Sequence, residues 1–197
     1  MNNSGAQRAV PIILIILVII IAIAALVSVG RSIFGGDSQP VVNSGRESLL
    51  NTALDRSVRM TVRGPIVGDN VFHSYTITVS PTSRNLTTYQ GYLLTQLETD
   101  QQTNNSKAYQ QFVYALDRAA MMEGTEPEGD ANDTRGICAT GTLYRYETLQ
   151  GTNVVKELWT TSCGRSKGSL RAVNQSLVRL FKAQIPDNNK LLTNIKL

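Results

Sequence analysis

Residues 137–163, ICATGTLYRYETLQGTNVVKELWTTSC, contain both cysteines of the chain. Two stretches within them, residues 137–149 and 154–163, contain Thr, Tyr, Val and Trp, which favour β-strands. Gln150 and Gly151 provide the turn chemistry of a two-residue loop. The pattern therefore predicts an antiparallel hairpin.

In the register set by this turn, the two cysteines lie opposite each other. Leu143 faces Leu158, and further along the same ladder Cys138 faces Cys163. Opposed side chains have Cβ atoms about 4.5–5.5 Å apart, which is close to disulfide range. A bond across a loop of this length contributes on the order of 3 kcal/mol. We therefore predict a Cys138–Cys163 disulfide and an oxidising compartment; the alternative is two buried, reduced thiols in a cytosolic domain.

Upstream of the hairpin the sequence predicts further strands. Alternating apolar residues bounded by turn residues indicate strands at residues 58–63, 71–80 and 84–90. Residues 92–100 fit either a strand or a helix, and residues 100–105 predict a polar loop.

Three amphipathic helices are predicted beside these strands. A capping box at residues 44–47 (SGRE) opens the first, Gly124 ends the second, and Pro186 ends the third. The apolar stripe of the second helix consists of Tyr109, Phe112, Val113, Leu116, Ala119 and Ala120. The stripe of the third consists of Leu170, Val173, Leu177, Leu180 and Phe181, and Leu191, Leu192 and Ile195 would dock the tail.

This order of elements predicts an α+β fold. Neighbouring strands with short turns favour antiparallel pairing, and amphipathic helices need a sheet face to cover. We expect residues 44–197 to form a two-layer domain, an antiparallel sheet of about five strands covered by about three helices.

Residues 10–29, VPIILIILVIIIAIAALVSV, contain no charge. A helix of this length, at about 1.5 Å of rise per residue, spans the roughly 30 Å hydrocarbon core of a bilayer. The apolar run is longer than that of a cleaved signal peptide, and no small-residue cleavage site follows it. We predict a transmembrane signal-anchor, with a short tail at residues 1–9 and a flexible linker at residues 30–43.

The charge balance excludes one class of partner. The net charge is +4, Arg8 alone precedes the apolar segment, and no basic run with interleaved aromatic residues follows. Nucleic acid is therefore not an expected partner. Arg8 and Arg31 flank the segment on opposite sides, so the positive-inside rule does not orient it. The predicted disulfide favours a domain outside the cytoplasm, and a cytoplasmic domain is the alternative.

Residues 163–169, CGRSKGS, connect a predicted strand to a predicted helix. Arg165, Lys167 and Ser169, together with free N–H groups at the helix start, would form an anion-binding site for a phosphate-bearing wall polymer. The spacing is not that of a P-loop. The alternative interpretation is a helix start capped by Ser166 or Ser169.

The main enzymatic alternative is a sortase-like cysteine transpeptidase. The segment LWTTSC, which ends at Cys163, resembles the strand that carries a sortase's nucleophile; His73 is the chain's one histidine, and Arg165 or Arg171 would stabilise an oxyanion. Three features argue against this interpretation. The segment does not match the sortase motif residue for residue, a helix is predicted after Cys163 where sortases have a strand, and Cys138 faces the nucleophile. We assign no catalytic residue.

No metal or cofactor is expected. The acidic residues 123–133, EGTEPEGDAND, lack the glycine and closing glutamate of an EF-hand, so they predict a solvated loop. Arg59 and Arg63 likewise predict a solvated basic strand face.

Four stretches stand out along the chain: residues 58–65 (VRMTVRGP), 112–118 (FVYALDR), 133–141 (DTRGICATG) and 158–164 (LWTTSCG). They resemble uncharacterised membrane-anchored proteins of Saccharibacteria, reduced-genome bacteria that live on host cells. The resemblance implies a bacterial envelope and contact with a host surface. The resemblance implies no particular activity and identifies no site residues.

Together these patterns predict a single-pass, membrane-anchored, extracytoplasmic module that binds or scaffolds a component of the cell envelope. The expected partners are the lipid bilayer and either an envelope protein or an anionic wall polymer. The alternative function is a membrane-tethered transpeptidase that uses Cys163 and His73.

Overall fold

The computed structural model describes residues 44–164, 168–195 and 197. The predicted tail, membrane helix and linker, at residues 1–43, lie outside these ranges. Within them, no helix is both long and apolar enough to cross a bilayer.

In these described ranges the chain forms four α-helices and six β-strands. Their order is α1 (Ser44–Leu50), β1 (Arg56–Arg63), β2 (His73–Val79), β3 (Ser83–Gln90), β4 (Thr95–Thr103), α2 (Ser106–Arg118), β5 (Leu143–Gln150), β6 (Asn153–Thr161), α3 (Asn174–Lys182) and α4 (Asn188–Leu192). The strands form one antiparallel sheet in the order β4-β3-β2-β1-β5-β6. The predicted α+β class and antiparallel pairing are confirmed, with one strand more than expected.

A buried row of side chains runs across the five strands from β3 to β6. Leu86 pairs with Ile77, Ile77 with Met60, Met60 with Tyr146, and Tyr146 with Leu158. All five side chains are completely buried. This row results from the period-two pattern that predicted β1, β2 and β3.

The helices cover this face of the sheet. The ring of Phe112 on α2 meets that of Phe181 on α3 edge to face, with centroids 5.3 Å apart. The Tyr146 ring lies 6.0 Å from Phe181, and its hydroxyl donates to Asn174 Oδ1 at 2.6 Å. Burial raises the pKa of Tyr146. Ile195 joins the same core, so the predicted docking of the tail is confirmed.

Helix α2 is shorter than predicted. The Asn105 side chain caps it by accepting from Ala108 N at 3.0 Å, and the helix ends at Arg118 instead of Gly124. Ala120 adopts a left-handed conformation (φ 61°) just after the end, the position where glycine is usual. The helix ends because the backbone turns at Ala120. The sequence did not indicate this end, because the residue at the turn is alanine and not glycine.

The predicted polar loop at residues 100–105 is wrong for most of its length. Residues up to Thr103 belong to β4, in which Asn85 of β3 pairs with Gln101 and Leu86 with Asp100. β4 is an edge strand whose side chains are mostly exposed on both faces. It therefore has no apolar alternation by which the sequence could reveal it.

The hairpin forms, but its predicted register is wrong. Leu143 pairs with Thr161 instead of Leu158. The two-residue turn is Gly151-Thr152, one residue later than predicted, and a bulge at Thr148/Leu149 shifts the ladder further. A register predicted from the turn residues alone is wrong when the turn is misplaced or when a bulge follows it.

The disulfide is present despite this shift. Cys138 and Cys163 are bonded at 2.03 Å, with Cα atoms 5.6 Å apart. Cys138 lies in a turn before β5, closed by Gly141 N donating to Cys138 O at 3.2 Å. This turn folds back toward the end of β6, so the predicted pair meets through a loop and not across the ladder.

Gly141 is packed against the disulfide. A Cβ at this position would lie 2.5 Å from Ser162 Oγ, 2.8 Å from Cys138 Sγ and 3.0 Å from Cys163 Sγ. The first two distances are shorter than real Cβ contacts and the third is at their lower limit. The sulfur atoms are bonded to each other, so they cannot move aside independently.

We expect Gly141→Ala to lower the free energy of unfolding by about 1–3 kcal/mol, because the added methyl group overpacks the cystine. Chemical denaturation without reductant measures the change. Gly164→Ala is the matched control, since a Cβ there meets no heavy atom within 4 Å. Equal losses in the two variants would contradict this account of the turn.

Candidate functional site

An open groove of about 590 Å³ lies between the end of α2 and the start of α3. Three exposed arginines, Arg118, Arg171 and Arg179, line it above a floor of small and apolar residues. The remaining lining residues are Ala115, Ala119, Ala120, Ala172, Val173, Ser176 and Leu180. We call this feature the arginine groove.

A short backbone bridge brings Arg171 beside the end of α2. Gly124 pairs with Leu170 as an isolated antiparallel bridge, and Arg171 N donates to Glu123 O at 2.9 Å. A Cβ on Gly124 would lie 2.1 Å from Ser169 O. Gly124 therefore permits this close approach of two backbones, in place of the helix-ending role predicted for it.

Helix α3 supplies the third arginine. It begins at Asn174, so Val173 precedes the helix and is 70% exposed, contrary to its predicted place in an apolar stripe. Ser176 and Arg179 are three residues apart on α3 and line the same side of the groove. A second groove of about 630 Å³ shares these residues and adds Lys182.

The electrostatics of the arginine groove favour an anion. No carboxylate lines either groove, and Arg118, Arg171 and Arg179 form no ion pair with any described residue. Val173 gives the first turn of α3 no side-chain cap, so the positive end of the helix adds to the field. The groove offers several unneutralised cations and no competing acid.

The predicted anion site is only partly covered by the structure. Arg165 and Lys167 lie outside the described residues. Ser169 lies five residues before α3 and is buried at the edge of β6, where its Oγ accepts from Trp159 N at 2.9 Å. The alternative interpretation of a helix start capped by Ser169 is therefore wrong, because Ser169 pairs with a strand instead of a helix terminus. Ser166 lies outside the described residues.

The residues of the transpeptidase alternative do not form a thiol site. The sulfur of Cys163 is bonded to that of Cys138, so it is not a thiolate nucleophile. His73 is half-buried at the start of β2, where its carbonyl accepts from Gly64 N at 3.1 Å. Its Nδ1 makes no hydrogen bond to the described chain, and it lines a small apolar pocket with Leu197.

The strand face predicted to be basic and solvated is instead an ion-pair network. Arg59 donates two hydrogen bonds to Glu147, at 2.6 and 2.7 Å, and the Glu147 side chain is almost fully buried. Glu157 pairs with Glu147 across the strands, and Arg145 Nε lies 3.3 Å from its carboxylate. Arg63 donates to the Ile137 carbonyl.

The two carboxylates of this network differ in their environments. Burial raises the pKa of Glu157, and the neighbouring Glu147 adds to the rise while Arg145 opposes it. Glu147 is held by the Arg59 fork. Each acid thus has an arginine partner, and the network ties the two hairpin strands to β1.

The acidic loop at residues 123–133 does not gather its carboxylates. Glu126 pairs with Lys156 at 3.1 Å, and Asp133 pairs with Arg135 at 2.6 Å. Hydrogen bonds from Arg135 lower the pKa of Asp133 to about 2. Among the described residues, no three ligand-type side chains come together as a metal site.

Comparison with known proteins found no matching protein-family model, no matching curated protein and no matching solved structure. The resemblance to Saccharibacteria proteins therefore stays a prediction. Function has to be inferred from the chemistry of the surfaces described above.

We expect opposite effects from neutralising the two opposed glutamates. Glu157→Gln should raise the free energy of unfolding at neutral pH, because the fold disfavours the ionised form of this acid. The gain should begin to shrink as the pH falls to the raised pKa of the folded protein, and it should vanish below the ordinary pKa of the unfolded chain, where the carboxyl is protonated in both states. Glu147→Gln should lower the free energy of unfolding by about 1–3 kcal/mol, because Arg59 loses its charged partner.

Chemical denaturation of both variants across the acid-to-neutral range tests this pair. Similar losses of stability at neutral pH in the two variants would show that Glu157 is stabilised as an anion. A gain that persists unchanged at low pH would show that it does not arise from ionisation.

Proposed function

We propose that the chain is a single-pass, membrane-anchored, extracytoplasmic module that binds an anionic, phosphate-bearing polymer of the cell envelope through the arginine groove. The observation that carries the proposal is the set of three exposed arginines around an open groove that has no carboxylate in its lining. No arrangement of the described residues supports a catalytic thiol.

Phosphodiester groups suit this groove better than isolated carboxylates. A guanidinium group forms two parallel hydrogen bonds with a phosphate, and three such groups would hold successive phosphates of one chain. The adjoining groove continues along α3 to Lys182, which extends the basic surface beyond the length of a single ion. The alanines and Val173 give the apolar spacers of a polymer a surface to pack on.

The proposed location rests on two further features. The bonded cysteines are typical of an oxidising compartment, and residues 10–29 have the length and composition of a membrane anchor. The resemblance to anchored proteins of Saccharibacteria supports a bacterial envelope as the setting. A tethered module of this kind would hold envelope polymer close to the membrane.

We expect Arg171→Ala to weaken binding of a poly(glycerol phosphate) chain roughly tenfold, because it removes a charge-assisted contact. Arg118→Ala and Arg179→Ala should act similarly, and raising the salt concentration should weaken binding further. Isothermal titration of the full chain in detergent micelles measures the affinity.

Lys107→Ala is the matched control for charge. Lys107 is exposed at the other end of α2 from Arg118, so its removal changes the net charge equally without touching the groove. Equal weakening by Lys107→Ala would mean that the polymer responds to net charge alone. Binding that survives loss of all three groove arginines would contradict the proposal.

The orientation of the domain is tested separately by thiol labelling. In intact cells, a membrane-impermeant maleimide should label the chain only after an impermeant reductant has opened the Cys138–Cys163 bond. Labelling without reductant would contradict the disulfide. Labelling that requires cell lysis would place the domain in the cytoplasm.

A further inference from the structure

Exposed apolar side chains gather at the turn between β3 and β4. Leu93 is 93% exposed, and Tyr92, Leu94, Val67 and Val71 are each between 41% and 57% exposed. We call these five residues the apolar tip. Other exposed apolar side chains, such as Leu54 and Val173, lie elsewhere on the domain, whereas these five lie together at one end of the sheet. Exposed apolar groups gather mainly where something covers them.

The apolar tip is held in place by specific contacts. The Tyr92 ring stacks on Phe72 with centroids 4.4 Å apart, and its hydroxyl donates to Val67 O at 2.6 Å. Tyr92 N donates to Asp69 Oδ1 at 2.7 Å. These contacts of Tyr92 fix the backbone of the turn, and Leu93, the next residue, is exposed to solvent.

The charged group beside the apolar tip is held by a backbone hydrogen bond. Asp69 is the acid beside the turn, and its carboxylate is engaged by Tyr92 N and packed against Gly91. A Cβ on Gly91 would lie 2.9 Å from Asp69 Oδ1. The tip thus offers Leu and Val side chains with one tyrosine, a combination suited to the boundary between headgroups and acyl chains.

We propose that the apolar tip inserts into the headgroup boundary of the membrane that anchors the chain. This inference rests on the proposed membrane anchor. Residues 30–43 would span at most about 46–50 Å if fully extended, whereas a nine-residue strand such as β4 is about 30 Å long. The chain between anchor and domain is therefore long enough for either end of the sheet to reach the bilayer.

A second contact of this kind fixes the orientation of the domain. One tether leaves a domain free to rotate over the surface, whereas a tether and an inserted tip together define which sides face the membrane. The bilayer is the occupant that the tether keeps within reach at all times.

Tryptophan scanning of the full chain tests the insertion. The chain is reconstituted in vesicles of phosphatidylcholine brominated on its acyl chains, as Leu93→Trp and, separately, as Leu54→Trp. Leu54 is the matched control, because it is 74% exposed and lies just before β1, at the opposite end of the sheet from the β3–β4 turn. Native Trp159 contributes the same background to both.

We expect the Leu93→Trp emission to shift to shorter wavelength and to be quenched by the brominated lipid, and the Leu54→Trp emission to remain unchanged. Equal quenching in the two variants, or none in either, would overturn the insertion while the anchor stands. A blue shift of Leu93→Trp that grows with protein concentration in lipid-free detergent would show that a second copy covers the tip. Failure of the unmodified chain to float with the vesicles would overturn the anchor and the insertion together.

Discussion

The pairing of β1 with β5 joins two parts of the domain that are far apart in the sequence. β1 to β4 follow one another, whereas β5 and β6 come after α2 and a long loop, and the backbone ladder from Arg63–Leu143 to Arg56–Gln150 joins them. The buried row from Leu86 to Leu158 is continuous because of this ladder. The helices that form the arginine groove pack on that row, so the geometry of the groove depends on a strand pairing on the other side of the core.

The sequence predicted those elements that bury one face and expose the other. β1, β2, β3 and the apolar stripe of α2 all show a clear period, and the structure confirms them. The first part of β4 was left open between strand and helix, and the rest was predicted as a loop, because an edge strand exposed on both faces has no period. The hairpin register was missed because the turn lies one residue later than predicted, and because the bulge at Thr148/Leu149 depends on packing, which the turn residues do not encode. The disulfide was predicted correctly from a register that does not exist, so its confirmation supports the pairing and not the reasoning.

The candidate site was harder to predict than the fold. Sequence analysis looked for anion-binding residues close together in the chain and selected Arg165, Lys167 and Ser169. The arginine groove instead combines Arg118 at the end of one helix with Arg171 and Arg179 from a segment more than fifty residues later. The Gly124–Leu170 bridge brings Arg171 close to the end of α2, and no local sequence pattern predicts this bridge.

The two edges of the sheet are protected in different ways. Near its end, the edge at β6 is met by Ser169 and Leu170, whose N–H groups donate to Trp159 O, whereas no described residue pairs with the outer side of β4. If two copies paired there antiparallel about Thr99, Glu98 of each would face Asp100 of the other, and directly opposed like charges are destabilising. In that register the two open strands would repel each other, so the charges of β4 disfavour this edge-to-edge pairing of two copies.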